Sequence, residues 1–383
     1  MSAPTPAGSL AVIGGGVIGL SVARRAARAG WSVRVHRGGE HGASWVAGGM
    51  IAPHSEGWPG EERLLRLGLE SLRLWHDGGF LDGLPSHVVT ARESLVVAVD
   101  RADVADLRTV ADWLSQQGHP VVWESAARDV EPLLAQGIRH GFRAPTELAV
   151  DNRALLDALT VDCERLGVAW AAPVTGLSDA EGDVVVIANG IDAPALWPGL
   201  PVRPVKGEVL RLRWRKGCMP LPRRVIRARV HGRQVYLVPR ADGVVVGATQ
   251  YEHGRDTAPV VSGVRDLLDD ACAVLPVLGE YELAECSAGL RPMTPTTCRS
   301  CSASTRGRWS PPAMGDRDSC WRRGRPSRLC ANSLRSERAH DRRRQRAAGG
   351  GRRADHRCRA AAVAGFPGPR RCGGPGLRAA SSI

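Results

Sequence analysis

The sequence of 383 residues lacks any long apolar run. No window reaches the roughly 18 consecutive apolar residues that a membrane-spanning helix needs. The apolar stretch near the N-terminus follows no basic segment and is interrupted by Gly14-Gly15-Gly16, which is not the pattern of a secretory signal peptide. These absences argue against a membrane protein and against a secreted one.

Cysteine is sparse over the first 297 residues, which contain only Cys163, Cys218, Cys272 and Cys286, and the other six cysteines lie between residues 298 and 372. Dispersed thiols of this kind are typical of proteins in a reducing compartment. We therefore expect a soluble cytoplasmic protein.

The net positive charge of the sequence is confined to the C-terminal part of the chain. Residues 299–383 contain 21 arginines, no lysine and five acidic residues, so their net charge of +16 exceeds the +13 of the whole chain and leaves residues 1–298 with −3. A mildly acidic body does not indicate nucleic acid as a specific partner.

Hydrophobic periodicity stops after Pro295, and Arg, Gly, Ala, Ser, Pro and Cys dominate the remainder. Such a composition cannot bury a core, which predicts a disordered tail with nonspecific basic character. A zinc site at Cys298 and Cys301 is not expected, because no second pair of ligands accompanies them.

An out-of-frame translation beginning near Pro295 explains the same tail, and we favour this hypothesis. The test is to shift the reading frame by one base, so that each new codon takes the last base of one residue's codon and the first two bases of the next. In this frame Met314-Gly315 yields Gly and Cys320-Trp321 yields Leu. The neighbouring codons permit Asp-Asn-Leu-Pro-Leu-Val just after Pro295 and Gly-His-Gly-Arg-Ser-Gly-Phe-Leu-Leu-Ala-Pro-Trp across residues 313–323.

A nucleotide-binding motif opens the chain. An apolar run at residues 9–13 predicts a buried parallel strand, a glycine-rich loop follows at once, and residues 20–29 predict a helix. In this fingerprint the first glycine permits a tight turn, the second lets a pyrophosphate approach the backbone, and the third lets the helix pack closely on the strand. The predicted binding residues of the loop are Gly14, Gly16, Val17, Ile18 and Gly19.

The second predicted strand ends with His36 and Arg37, where an acidic residue is expected to hold the adenosine ribose. Arginine at this point accepts the 2′-phosphate of NADP, so an NADP-linked oxidoreductase is an alternative. Glu40 could supply the acid one turn later.

Two further segments point to flavin. Residues 42–50 form a stretch of small residues that resembles the segment lying along the flavin in the glycine oxidase and D-amino acid oxidase family. Residues 183–190, an apolar strand followed by Ala-Asn-Gly, resemble the part of that family that closes over the dinucleotide. The resemblance implies FAD contacts by Arg37, Ser44, Ala47, Gly48, Gly49, Met50, Val174, Ala188 and Gly190.

The resemblance also places the substrate. Residues 288–295 match the family's Gly-Leu-Arg-Pro turn, which implies that Arg291 binds the substrate carboxylate. Tyr236, in an alternating strand, is implied to reach the same carboxylate with its hydroxyl, and Met50 to lie at the isoalloxazine ring beside the reacting atoms. Gln250 replaces the hydrophobic residue of one branch, which leaves substrate size preference open.

The resemblance covers residues 8–295 and implies an α/β fold, in which a Rossmann-type FAD-binding domain is joined to an antiparallel-sheet (α+β) substrate domain. We assign residues 8–85, 145–200 and 286–296 to the FAD-binding domain, 86–144 and 201–285 to the substrate domain, and 297–383 to the disordered or out-of-frame tail.

The implied activity is that of the ThiO branch: FAD-dependent oxidation of glycine or another small amino acid to its imine, with molecular oxygen reduced to hydrogen peroxide. No metal or membrane is expected to take part. A homo-oligomer is compatible with the sequence, which leaves the oligomeric state open.

Overall fold

The computed structural model of the chain describes residues 7–38 and 41–294. Glu40, the sequence from Pro295 onward and the cysteine pair at 298 and 301 lie outside the described residues. In the described part of the chain no helix is long and apolar enough to cross a bilayer.

The described residues form fifteen strands, eight α-helices and four short 3-10 helices. The strands are β1 (Ser9–Ile13), β2 (Ser32–His36), β3 (Met50–Ile51), β4 (Val89–Ala91), β5 (Ser94–Ala98), β6 (Val122–Glu124), β7 (Gly141–Ala144), β8 (Leu148–Val150), β9 (Ala169–Ala171), β10 (Val184–Ile187), β11 (Arg203–Arg213), β12 (Val225–Val230), β13 (Arg233–Pro239), β14 (Gly243–Gly247) and β15 (Glu282–Met293). The α-helices are α1 (Val17–Arg28), α2 (Ala43–Val46), α3 (Glu62–His76), α4 (Arg101–Gln116), α5 (Ala127–Val130), α6 (Asn152–Arg165), α7 (Ala193–Leu196) and α8 (Val261–Val274). The 3-10 helices are Ser86–Val88, Leu177–Asp179, Gly190–Asp192 and Pro276–Glu280.

A four-stranded parallel sheet, in the order β10-β1-β2-β9, confirms the predicted nucleotide-binding α/β unit. Helix α1 covers it and begins at Val17, three residues before the predicted start. The reason is spacing: Val17, Leu20 and Ala23 recur every three residues and are all buried against the sheet. Helix α6 packs beside α1, and the carboxylate of Asp151 caps it by accepting from the N–H groups of two residues of its first turn.

An eight-stranded sheet, in the order β15-β11-β14-β13-β12-β5-β7-β6, forms the second large layer. Most of its pairs are antiparallel, and the pair of β12 with β5 is parallel. Helix α8 packs on this sheet, and its apolar residues join the largest cluster of buried side chains. A three-stranded sheet, β3-β8-β4, completes the described strands.

The sequence predicts a turn around residues 289–292. This prediction is wrong, because these residues belong to the long strand β15. Strand β15 pairs with β11 from Glu282 to Met293, with Gly289 opposite Gly207 and Pro292 opposite Pro204. Proline lacks an N–H and is tolerated at a sheet edge, and β15 is the edge strand.

Candidate active site

The carboxyl ends of the parallel strands are level with one another. Ile13, the last residue of β1, is in register with both His36 of β2 and Ile187 of β10, and His36 is in register with Ala171 of β9. Ligands of open α/β sheets bind at this edge. The predicted contact residues that follow these strand ends therefore share one edge of the sheet, and they are Gly14, Arg37, Val174 and Ala188.

Three glycines of the loop and the first turn of α1 form a cradle in which a side chain would meet neighbouring atoms. Gly14 has φ +120°, and a Cβ there would lie 2.3 Å from the carbonyl oxygen of Ala188. A Cβ on Gly19 would lie 1.9 Å from the carbonyl oxygen of Gly14, and one on Gly16 would lie 3.0 Å from Ser44 Oγ. Positions 14 and 19 of this glycine cradle therefore accept only glycine, because the loop closely approaches the segment after β10 and the first turn of α1 packs closely on the loop.

Ser44 meets the amino end of α1. Its Oγ accepts a hydrogen bond from the N–H of Val17 at 3.1 Å. A hydroxyl both accepts and donates, so Ser44 also has a proton to offer to a phosphate oxygen. Ile18, in the same turn, is 44% exposed. The amino end of α1, with its N–H groups and the positive end of its dipole, is suited to binding an anion at this point.

Residues beyond the strand ends line the outer part of the site. The guanidinium carbon of Arg37 lies 4.1 Å from the ring centre of Trp170, a stacked arrangement. Val174 packs into the small apolar cluster that includes Ile13. Gly190 has φ +64°, and a Cβ there would meet no atom within 4 Å. Its left-handed backbone conformation, and not a lack of space, therefore explains why glycine occupies this position.

The segment from Ala47 to Met50 runs from α2 into β3. Ala47 ends α2, and Met50 pairs with Ala149 and is buried. Gly49 has φ +77°, and a Cβ there would lie 2.1 Å from the carbonyl oxygen of Val150. The positive φ and the close approach of Val150 both require glycine here, and the N–H of Val150 donates to the Gly49 carbonyl oxygen at 2.8 Å.

Tyr236 contacts this segment from the eight-stranded sheet. A Cβ on Gly48 would lie 2.7 Å from Tyr236 Cε2, and one on Gly247 would lie 2.3 Å from Tyr236 Cζ. Burial raises the pKa of the Tyr236 phenol, and the positive charge of Arg291 partly opposes that shift. The phenol is therefore neutral at physiological pH and available as a hydrogen-bond donor.

Arg291 extends over the neighbouring strand. A Cβ on Gly207 would lie 2.4 Å from Arg291 Nη2, so glycine at 207 makes room for the guanidinium. Nη1 donates to the carbonyl oxygen of Thr249 at 3.1 Å. A guanidinium has five N–H donors, which leaves donors for a carboxylate after this bond. Gly247, which lies opposite Tyr236, is also opposite Val209 of β11, two residues from the Gly207 that the Arg291 guanidinium covers. Both predicted substrate residues therefore reach the same part of the eight-stranded sheet.

A buried ion pair beside these residues was not predicted from the sequence. Arg227 Nη1 lies 2.8 Å from Glu56 Oε1, and both side chains are nearly buried. The same Nη1 lies 3.8 Å from Met50 Sδ, and Arg227 is directly opposite Tyr236 in the pairing of β12 with β13. The sequence contains a signal for it, because Arg227 interrupts the apolar residues of β12, which indicates a charge that needs a partner.

Residues 9–309 match the model of a family described as FAD dependent oxidoreductase. The chain belongs to this family. It is 35% identical over 291 residues to a putative thiamine biosynthesis oxidoreductase ThiO of Rhizobium etli, a match that covers 74% of this chain and 84% of the relative. It is 31% identical over 312 residues to a bifunctional ThiO/ThiG protein of Synechocystis, covering 74% of this chain. The chain spans only 45% of that bifunctional protein's length.

Among solved structures, a glycine oxidase from Geobacillus kaustophilus superposes with a TM-score of 0.67 at 26% identity, covering 75% of this chain and 83% of that one. Membership of this FAD-dependent family assigns the dinucleotide site to FAD, which removes the NADP-linked alternative suggested by Arg37. Within residues 7–38 and 41–294, no group of three or more His, Cys, Asp or Glu side chains could hold a metal ion.

Proposed function

We propose that this FAD-dependent oxidoreductase oxidises glycine and other small amino acids to the corresponding imine, and that oxygen is the final electron acceptor and yields hydrogen peroxide. The observation that carries this proposal is the packing of Tyr236 between Gly48 and Gly247, with the Arg291 guanidinium over Gly207 of the same sheet. This packing supports the proposal that the segment along the flavin and the residues that bind the carboxylate belong to one site.

In this proposal the chain contributes mainly orientation. The planar guanidinium of Arg291 binds both oxygens of an α-carboxylate, and the neutral phenol of Tyr236 donates a further hydrogen bond to it. FAD, when bound, supplies the acceptor for the hydride that leaves the substrate Cα. The scheme needs no side chain as general base if the amine enters neutral, because catalysis then rests on positioning and electrostatics.

The cofactor is held, in this proposal, by residues from three parts of the chain. Ser44 and the amino end of α1 bind the phosphates, residues 47–50 lie along the isoalloxazine, and Arg37 lies near the adenosine. Val174, Ala188 and Gly190 complete the enclosure. The lack of a side chain at Gly16, beside Ser44 Oγ and the amino end of α1, supports this placement.

We also propose the biological setting. The Rhizobium etli relative is named a putative thiamine biosynthesis oxidoreductase, which supports a role in supplying the imine for assembly of the thiazole of thiamine. The four cysteines of the described part are all free, which supports a reducing, cytoplasmic location. The division into an FAD-binding domain (8–85, 145–200, 286–296) and a substrate domain (86–144, 201–285) stands as part of the same proposal, as does action as a single chain or a homo-oligomer.

The experiment compares two proteins, the 383-residue chain and a version in which the frame is restored after Pro295. We expect the restored version to be yellow and to form peroxide with glycine, sarcosine or D-alanine, and the 383-residue chain to bind FAD poorly and to have little activity. The restored frame would supply the Gly-His-Gly-Arg string that in this family begins a helix directed at the flavin and holds a second arginine near the substrate. A restored protein that stays colourless with added FAD would refute the proposed function, and resequencing around the codon for Pro295 tests the origin of the tail.

A further inference from the structure

Asn152, the first residue of α6, holds the short helix that leads into the proposed flavin segment. Its side chain is 5% exposed, and Nδ2 donates to the carbonyl oxygens of Ser44 at 2.9 Å and Trp45 at 2.6 Å. The last carbonyls of a helix have no partner within it, and α2 has only four residues. One buried amide group therefore satisfies two of these carbonyls.

Arg240 holds the next part of the same segment. It directly follows β13 and is 5% exposed. Its Nη2 donates to the carbonyl oxygen of Gly48 at 2.9 Å and to Asn152 Oδ1 at 3.2 Å, and its Nη1 donates to the carbonyl oxygen of Pro239 at 3.1 Å. Asn152 and Arg240 are thus joined to each other and together bind three carbonyls between residues 44 and 48.

Arg240 is also a buried cation. Burial lowers its pKa to about 10, which leaves it protonated at neutral pH. Its Nε lies 3.5 Å from Asp151 Oδ2, and Arg211 donates to the same Oδ1 of Asn152 at 3.2 Å. The charge of Arg240 is therefore only partly compensated by the carboxylate beside it.

Fixing a carbonyl also fixes the N–H that follows it. In a planar trans peptide the two groups point in opposite directions, so the bond from Arg240 to the Gly48 carbonyl directs the N–H of Gly49 away from Arg240. The carbonyl oxygen of Gly49 in turn accepts from the N–H of Val150 at 2.8 Å. Both peptide planes around Gly49 are held.

We propose that Asn152 and Arg240 are positioning residues for the flavin, an inference that rests on the proposed function. They orient the peptide planes of residues 44–49 so that the N–H of Gly49 is available to the flavin, and they keep a positive charge directly behind that peptide. Such a charge favours electron-rich forms of the flavin.

The test uses Arg240→Lys and Asn152→Asp in the full 383-residue chain and in the frame-restored version. Lysine keeps the charge but loses the forked donors, and aspartate keeps the shape of asparagine but replaces its donors with acceptors. The control is Arg233→Lys on the same strand, where Arg233 makes a bidentate pair with Asp270 at 2.8 and 2.6 Å and does not contact the segment.

Three quantities are measured: the Kd for FAD from quenching of flavin fluorescence, the Kd of the bound flavin for sulfite, and hydrogen exchange of the amides of residues 44–50 without FAD. We expect both variants to weaken FAD binding by about tenfold and to speed the exchange by about tenfold, whereas Arg233→Lys changes each by less than about twofold. Sulfite binding should weaken by about tenfold in Asn152→Asp, which adds a negative charge, and by less than about threefold in Arg240→Lys, which keeps the positive one.

If neither version of the wild-type chain binds FAD, both the proposed function and this inference are overturned. If the wild type binds FAD and the Arg240→Lys and Asn152→Asp variants bind it and sulfite equally well, this inference alone is overturned. A lowered Tm with unchanged FAD binding and unchanged exchange would also overturn it, because it would show a merely structural role.

Discussion

Replacing Gly19 with alanine has two opposing effects on stability, a gain in helix propensity and a steric clash. Gly19 lies inside α1 without a positive φ, so alanine is favoured there by about 1 kcal/mol on propensity alone. The added Cβ, however, would lie 1.9 Å from the carbonyl oxygen of Gly14, whereas ordinary contact begins at 3.4 Å. Helix and loop must separate by the difference, about 1.5 Å.

The size of the effect follows from what α1 buries. Val17, Leu20 and Ala23 pack against the parallel sheet, and forcing an extra carbon into such a contact costs about 1–3 kcal/mol. Taking the upper end, because the obstacle is backbone rather than a flexible side chain, and subtracting the propensity gain leaves a net loss of about 2 kcal/mol. The shift also moves the amino end of α1, so FAD should bind at least about tenfold more weakly, the equivalent of about 1.4 kcal/mol.

The assay is urea unfolding together with FAD titration, with Gly30→Ala as the matched control at the other end of α1. Gly30 has φ +85° and a Cβ there would meet nothing within 4 Å, so this variant should lose only about 1 kcal/mol and bind FAD normally. If Gly19→Ala were as stable as the wild type and bound FAD within twofold, the steric argument for the cradle would be refuted.

Three further predictions address the substrate site and pH. Arg291→Lys should lower kcat/KM for glycine about 30-fold, the loss of roughly 2 kcal/mol of charge-assisted bonding, while FAD binding stays within twofold; an unchanged kcat/KM would contradict the assigned role. Tyr236→Phe should lower kcat/KM about five- to tenfold through loss of one neutral hydrogen bond, and steady-state kinetics would expose any larger, structural effect. Burial lowers the pKa of His54 from 6.5 to about 4, so as the pH falls the unfolded chain binds the proton before the folded chain does. The free energy of unfolding should therefore decrease by about 3 kcal/mol between pH 6.5 and pH 4. Urea unfolding of His54→Gln across that range should lack this part of the decrease.

The nucleotide end of the site was predictable from sequence because its parts are local. Strand β1, the glycine loop and α1 are consecutive, Gly19 packs against Gly14 of the same loop, and Gly14 packs against the end of the adjacent strand β10. Only the start of α1 was misplaced. Tyr236 and Arg291 were named through family resemblance, since nothing in the alternation of β13 distinguishes Tyr236 from a core residue.

The polar contacts around the site could not be predicted, because their partners are far apart in the chain. Glu56 and Arg227 are joined only when β12 pairs with β13 beside β3, and Asn152 and Arg240 meet only when α6 docks against the end of β13. A turn expected at residues 289–292 proved to be strand because β11 offers a long pairing edge. Periodicity describes each strand alone and contains no information on which strand lies beside it.

Space, rather than backbone freedom, explains the glycines that join the two halves of the site. Gly48, Gly207 and Gly247 have no left-handed φ, yet a Cβ on each would lie within 2.7 Å of Tyr236 or Arg291. Each therefore admits a large functional side chain from another strand, and the site is assembled by close approach of sheets as much as by hydrogen bonds. A larger residue at any of these positions would displace the substrate-binding side chain, although its own strand could still fold. The proposed chemistry therefore depends on the spacing between these segments more than on any one polar contact.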